Sequence, residues 1–189
     1  IIIKPERNFN TKTASHPPAS QHFHLLHCSL CAILKLCVNL SIQTRSKQNN
    51  EVDIKMNILL ANDDGIDARG IHERADALKG LGDLYISAPD SQRSASGHGI
   101  TVSQPITVTE TTFPGATGAF RMSGTPADCV KLGVKLLQKE GIKIDMVFSG
   151  INHGGNLGTD TLYSGTVSAA LEGTICGIQS VAVSVNSHE

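Results

Sequence analysis

The stretch MNILLANDDGIDARG, residues 56–70, decides how this chain is read. Residues 57–61 read as a strand, a short continuous apolar run of the kind seen when both faces are covered. The run ends at Asn62, and two adjacent carboxylates, Asp63 and Asp64, follow before Gly65. Neighbouring negative charges repel, so such a pair is tolerable only when solvated or neutralised by a cation. Mg²⁺ or Mn²⁺, a hard ion with oxygen ligands, is the natural neutraliser. Asp-Asp-Gly by itself is a common solvated turn; its position after a buried strand is what favours a metal.

Outward from this stretch, strand and helix signals alternate. Ile71, Ala75 and Leu78 recur at helical spacing, with Gly80 and Gly82 expected to stop that helix. Residues 84–88 read as a strand ended by Pro89, residues 100–110 as an extended arm or hairpin, and residues 120–122 as a short strand. Thr125-Pro126-Ala127-Asp128 has the form of a helix start, with Thr as cap, Pro at the first helical position and an acid three residues after the cap. Val130, Leu132, Val134, Leu136 and Leu137 would supply that helix's apolar face. A strand at 145–148, a long loop SGINHGGNLGTDTLYSG, a helix at 166–176 ended by Gly177 and a strand at 180–185 complete the pattern. Such alternation predicts an α/β fold with a mainly parallel sheet and helices on both sides.

In an open parallel sheet, ligands collect beyond the carboxyl ends of the strands. Three loops rich in Asp, Asn, Ser and Gly fall there: residues 62–65, 90–99 and 149–165. Their convergence would bring Ser94 and Asn152 to Asp63 and Asp64 as further oxygen ligands. Gly154, Gly155, Gly158 and Gly165 serve tight turns on one reading. On another, a glycine-rich loop opening a helix at Ser164-Gly165-Thr166 presents backbone N–H groups to phosphate. His98 and His153 are acid-base candidates by position, though a loop histidine is more often simply exposed.

Composition bounds the function. With 189 residues, 40% hydrophobic and 17% charged, the chain can bury one domain-sized core, and a net charge of −1 offers no basic surface to a nucleic-acid polymer. Trp is absent and aromatics are 4%, which argues against aromatic platforms for single strands. Five cysteines without regular spacing fit a reducing compartment better than a disulfide scaffold, and a cytoplasmic location is expected.

Residues 1–55 read differently: no initial methionine, few acids and no strand-turn-helix punctuation. They are expected to form an extension outside a domain spanning residues 56–189, either a gene-model extension or a leader with organelle targeting left open. Residues 25–42 are interrupted by His27, Lys35 and Asn39, too short an apolar run for a membrane span of roughly 20 residues. Cys28 and Cys31 form a CxxC near His22, His24 and His27, but Cys37 alone does not supply the second ligand pair of a zinc site, and chance clustering is the better reading.

Four blocks, NDDGIDARGI, APDSQRSASGH, SGTPADCVKLG and SGINHGGNLGTDTLYSGTVSAALEG, closely resemble in order and spacing the motifs of the SurE family of metal-dependent nucleotidases. The resemblance covers roughly residues 56–185. It implies a Rossmann-like three-layer α/β core and phosphate hydrolysis from nucleoside 5′- and 3′-monophosphates, with short polyphosphate as a further substrate. It implies one divalent cation held by Asp63, Asp64, Ser94 and Asn152, with Asp63 and Asp64 at the centre of catalysis. Asn62, Gly154, Asn156, Ser164, Gly165 and Thr166 are the expected phosphate and substrate contacts. The chain departs from the family at Arg69, in place of the proline of DAPG, and at Gly155, in place of the proline of GPN; both changes loosen site loops without removing a ligand. His153 sits at a variable position and receives no role.

The family continues well past residue 185 and assembles as dimers or tetramers. A chain ending at Glu189 is therefore expected to be a C-terminally truncated domain whose last strand, 181–185, lacks the helix that should cover it. Two other phosphate-handling folds fit less well. A receiver domain needs a phospho-accepting Asp after a later strand, where this chain has Phe148-Ser149-Gly150, and haloacid-dehalogenase phosphatases need Asp-x-Asp, whereas Asp63 and Asp64 are adjacent. A truncated, non-catalytic metal- or nucleotide-binding module is the remaining alternative.

Overall fold

The computed structural model describes Ile2–Ile3 and residues 55–185. The reading of residues 1–55 as an extension, the 25–42 run and the Cys28–Cys31 cluster otherwise lie outside the described residues. In chain order the elements are β1 (Ile2–Ile3), β2 (Met56–Ala61), α1 (Arg69–Leu78), β3 (Gly82–Pro89), β4 (Val108–Thr111), β5 (Gly118–Met122), α2 (Pro126–Lys139), β6 (Met146–His153), a 3₁₀ turn (Gly158–Leu162), α3 (Gly165–Ile175) and β7 (Gln179–Val185). The strands form one seven-stranded sheet in the order β1-β7-β6-β2-β3-β5-β4. Every pairing is parallel except β4 with β5.

Alternation along β2 builds the layers. Ile58 and Leu60 face one way, into a core with Ile71, Ala75 and Leu78 of α1 and Phe148 of β6. Leu59 and Ala61 face the other way, onto Cys129, Val130 and Leu137 of α2 and Ala169 of α3. Both faces of the strand are thus buried, the condition its continuous apolar sequence called for. The α2 start forms as expected: Thr125 Oγ1 accepts from Asp128 N at 3.1 Å, and the Asp128 carboxylate accepts from Thr125 N at 2.9 Å. A cap of this kind contributes about 1 kcal/mol.

Four expectations need correction. Gly82 does not stop α1; it is the first residue of β3, and the left-handed Gly80, φ 84°, makes the turn. Within 100–110 only the last residues are extended in a sheet, because Val108–Thr111 pair antiparallel with β5 while the preceding stretch has no strand partner among the described residues. On α2, Leu132, Val134 and Leu136 are only partly buried, and Cys129 and Gly133 share the buried face with Val130 and Leu137. Finally, β6 does not end at Phe148. It continues through Asn152 and His153, pairing Asn152 with Ser184 after a register shift from Ser149. Gly150 permits this close pairing, with φ 100° and a position where a Cβ would lie 2.2 Å from the Val183 carbonyl oxygen. Among the described residues no helix is long and apolar enough to cross a membrane.

Candidate functional site

The chain runs from β2 to β3 on one side, while β6 pairs with β2 on the other, with Ala61 opposite Ser149. This switch of direction opens a crevice beyond the carboxyl ends of β2 and β6, where doubly wound sheets bind ligands. Asp63 and Asp64 leave β2 into it.

Asp63 is buried, and its carboxylate meets the start of α3: Thr166 Oγ1 donates to Asp63 Oδ1 at 2.5 Å. Burial pushes the Asp63 carboxyl above its ordinary value and the neighbouring Asp64 charge adds to that, while the Thr166 hydroxyl and backbone donors pull against them. The net direction is up, so an ionised Asp63 sits under an unmet demand for positive charge. Asp64 is half-buried, and Gln92 Nε2 donates to its Oδ1 at 3.3 Å. Gly165 permits the approach of helix and acid, since a Cβ there would lie 2.7 Å from Asp63 Cβ and 3.0 Å from Pro126 Cγ.

The other expected residues divide into those brought to the acids and those held elsewhere. The loop after β3 is tied to Asp63 by Arg93 N, which donates to the Asp63 carbonyl at 2.7 Å; Ser94, next in chain, has an exposed side chain. Asn152 stands at the end of β6, its Nδ2 donating to the Gly154 carbonyl at 2.9 Å, which leaves its Oδ1 outside that bond. Ser164 caps α3 by accepting from Val167 N at 3.1 Å and is buried. Thr166 faces Asp63 directly, so its hydroxyl orients an acid and is engaged before any phosphate arrives. Asn62 turns back to donate to the Gly65 carbonyl at 2.7 Å, and its buried Oδ1 has no partner among the described residues. Asn156 is bonded to Ser184 Oγ at 2.7 Å, a structural tie to β7.

Sequence reasoning did not single out Gln92 or Glu172. Gln92 lies inside a quoted block and could have been found as the one amide between Asp90 and Ser94. Glu172 on α3 is buried and bonded to His98 Nε2 and Lys131 Nζ, each at 2.9 Å, a contact across 74 and 41 residues that no local pattern signals. His153 is exposed. Among the described residues no group of three or more His, Cys, Asp or Glu side chains is placed to hold a metal. The candidate set is instead two carboxylates with hydroxyl and amide oxygens, the donors a hard ion takes.

With that geometry in hand, the family model described as survival protein SurE matches residues 58–189. The chain belongs to the SurE family. It is 54% identical over 132 residues to a 5′-nucleotidase SurE from Syntrophomonas wolfei, covering 70% of this chain and 49% of that protein. To a 5′-nucleotidase SurE from Vibrio cholerae it is 48% identical over 132 residues, covering 70% and 48%. A crystal structure of the SurE protein from Aquifex aeolicus superposes with a TM-score of 0.62 at 44% identity, covering 70% of this chain and 52% of that one. The chain thus spans about half the length of the curated SurE relatives it matches. The mainly parallel three-layer sheet is the SurE fold over that shared part.

Proposed function

We propose that this chain carries the metal and phosphate site of a divalent-metal-dependent phosphatase that hydrolyses nucleoside 5′- and 3′-monophosphates, with short polyphosphate as a further substrate. The observation that carries the reading is Asp63: a buried carboxylate, raised by desolvation and by Asp64, at the sheet's switch point and against the start of α3. The names of its 5′-nucleotidase relatives support the substrate class.

The residues present fit one Mg²⁺ or Mn²⁺. Asp63 and Asp64 would hold it with Ser94 and Asn152. The chemistry such an ion supplies is Lewis-acid polarisation of a phosphoryl oxygen and of an attacking water. The chain's own groups do the rest. Thr166 holds one Asp63 oxygen, leaving the other for coordination. Gln92 orients Asp64. The start of α3 at Gly165, capped by Ser164 and positive by its dipole, would receive the anionic phosphate, and backbone N–H groups at 155 and 156 would add to it, since Gly154 N is held by the Val185 carbonyl at 3.0 Å. Asn62 Oδ1, buried and without a partner among the described residues, is available to a donor on the substrate or to water.

Release of inorganic phosphate from AMP in the presence of Mn²⁺ tests the reading. Turnover that disappears on chelation is expected. Binding of Mn²⁺ and AMP with no release would identify the chain as a non-catalytic module instead, and turnover that survives chelation would remove the metal from the account.

A further inference from the structure

The loop after β3 is fastened at both ends, and the fastenings come from different layers of the molecule. On its near side Arg93 N donates to the Asp63 carbonyl at 2.7 Å and Arg93 Nη2 to the Ser123 carbonyl at 3.1 Å. On its far side residues 97–101 are held by four separate groups. Gly97 N donates to the Tyr163 carbonyl at 3.0 Å. His98 Nε2 bonds Glu172 Oε2 at 2.9 Å. Thr125 Oγ1 donates to the Gly99 carbonyl at 2.7 Å. Thr101 donates through its N and Oγ1 to the Asp128 carboxylate, the hydroxyl at 2.6 Å. Between the two anchors lie only Ser94, Ala95 and Ser96, and Ala95 adopts φ 55°, a left-handed conformation uncommon outside glycine. A span this short, with both ends fixed and a sparsely populated backbone state in its middle, persists only because the surroundings over-determine it.

Glu172 is the least replaceable of these anchors. Its side chain is 2% exposed, and a carboxylate buried to that degree is tolerated only when paired. Its two oxygens are shared between two elements: Oε1 takes Lys131 Nζ from α2 and Oε2 takes His98 from the loop. Glu172 stands on α3, the helix whose start meets Asp63, so one rigid element sets both the acid and the loop opposite it.

We infer that Glu172, acting through His98, is a positioning residue that clamps residues 97–101 and thereby pre-sets Ser94 beside Asp63 and Asp64 for the cation; this rests on the metal-dependent reading proposed above. Neither residue need touch metal or substrate. The device fixes the loop at folding, so that ordering it is not charged against ion binding.

Three variants of the full chain test this: His98→Ala, Glu172→Gln and Glu172→Ala, each followed by amide hydrogen exchange without metal, by calorimetric Mn²⁺ titration and by AMP kinetics. His98→Ala cuts one tether at a partly exposed position, and its melting temperature is expected to stay within a few degrees of wild type. Its amides at 94–101 should exchange faster, its Mn²⁺ affinity should fall about 10-fold or more as for other groups that orient metal ligands, and KM should rise more than kcat falls. Glu172→Gln, which can accept from Lys131 Nζ through its oxygen and donate through its amide to an unprotonated His98 Nε2, should restore most of the affinity that Glu172→Ala loses. Wild-type exchange and wild-type Mn²⁺ affinity in His98→Ala would overturn the inference. A parent chain that releases no phosphate refutes the phosphatase reading alone, because the exchange and Mn²⁺ measurements still decide the clamp.

Discussion

Replacing Arg74 by Met should make this protein more stable. Arg74 lies on the core face of α1, at the i+3 position from Ile71, and is 0% exposed. Among the described residues Nη2 reaches only the Ser149 carbonyl, at 3.4 Å, and Nε and Nη1 have no partner. Cζ lies 5.4 Å from the Phe148 ring centroid, and among the described residues no carboxylate pairs with the guanidinium. Burial pushes the Arg74 guanidinium down from the ordinary arginine range to about 9, which at about 1.36 kcal/mol per pH unit corresponds to a desolvation cost of ~5 kcal/mol. The cation–π contact offsets ~2 kcal/mol of that. Met keeps the length of the stem and its contacts with Phe148 while removing the charge, so the net gain is ~3 kcal/mol, or roughly 10 °C in melting temperature for a domain of this size. Denaturant unfolding at pH 7 measures it. A variant that is no more stable than wild type would show that the guanidinium has a compensating partner and refute the reasoning.

Asp63→Asn should hold or raise the melting temperature in chelator at pH 7, because it removes a charge whose pKa is raised by burial and by Asp64, yet Mn²⁺ should no longer stabilise the protein; a fall in chelator would contradict this. Thr166→Val deletes the hydroxyl that pulls the Asp63 carboxyl down, so protons should compete with Mn²⁺ up to a higher pH, seen as an upward move of the acid limb of binding; an unmoved limb would count against the Thr166 bond. A chain beginning at Met56 should melt within a few degrees of the full chain, a difference of ~1 kcal/mol or less. Among the described residues, those from 1–55 contribute the pairing of Ile2 and Ile3 with Ser184 and Val185 and the ion pair of Lys55 Nζ with Asp83 Oδ1 at 2.6 Å, and a large loss would mean the segment packs on the domain.

What the sequence made legible follows from local signals. The β2 run, the helical recurrence of Ile71, Ala75 and Leu78, and the Thr125–Asp128 cap each depend on neighbours within a few residues, and each appears as expected. The acid pair was legible for the same reason, since adjacency alone raises the question of its neutralisation. Asn152 was placed in a loop because Ser149 and Gly150 look like a strand end; only pairing with β7 keeps the strand going, and that is a tertiary fact. Arg74 escaped notice because a charge at a helical core position reads as surface until the helix is packed. The Glu172–His98 bond and the Gln92–Asp64 bond join residues far apart in sequence, so no periodicity could reveal them. The bond of Thr166 to Asp63 was not legible, because it depends on the close approach of α3 to β2 that Gly165 permits.

The central claim is that Asp63 and Asp64 together hold one divalent cation. Calorimetric titration of Mn²⁺ into the metal-free chain at pH 7, beside Asp63→Asn and Asp64→Asn, tests it most directly. A single site in the parent chain that is lost in both variants is the predicted result. Equal binding in all three, or none in the parent, would contradict it.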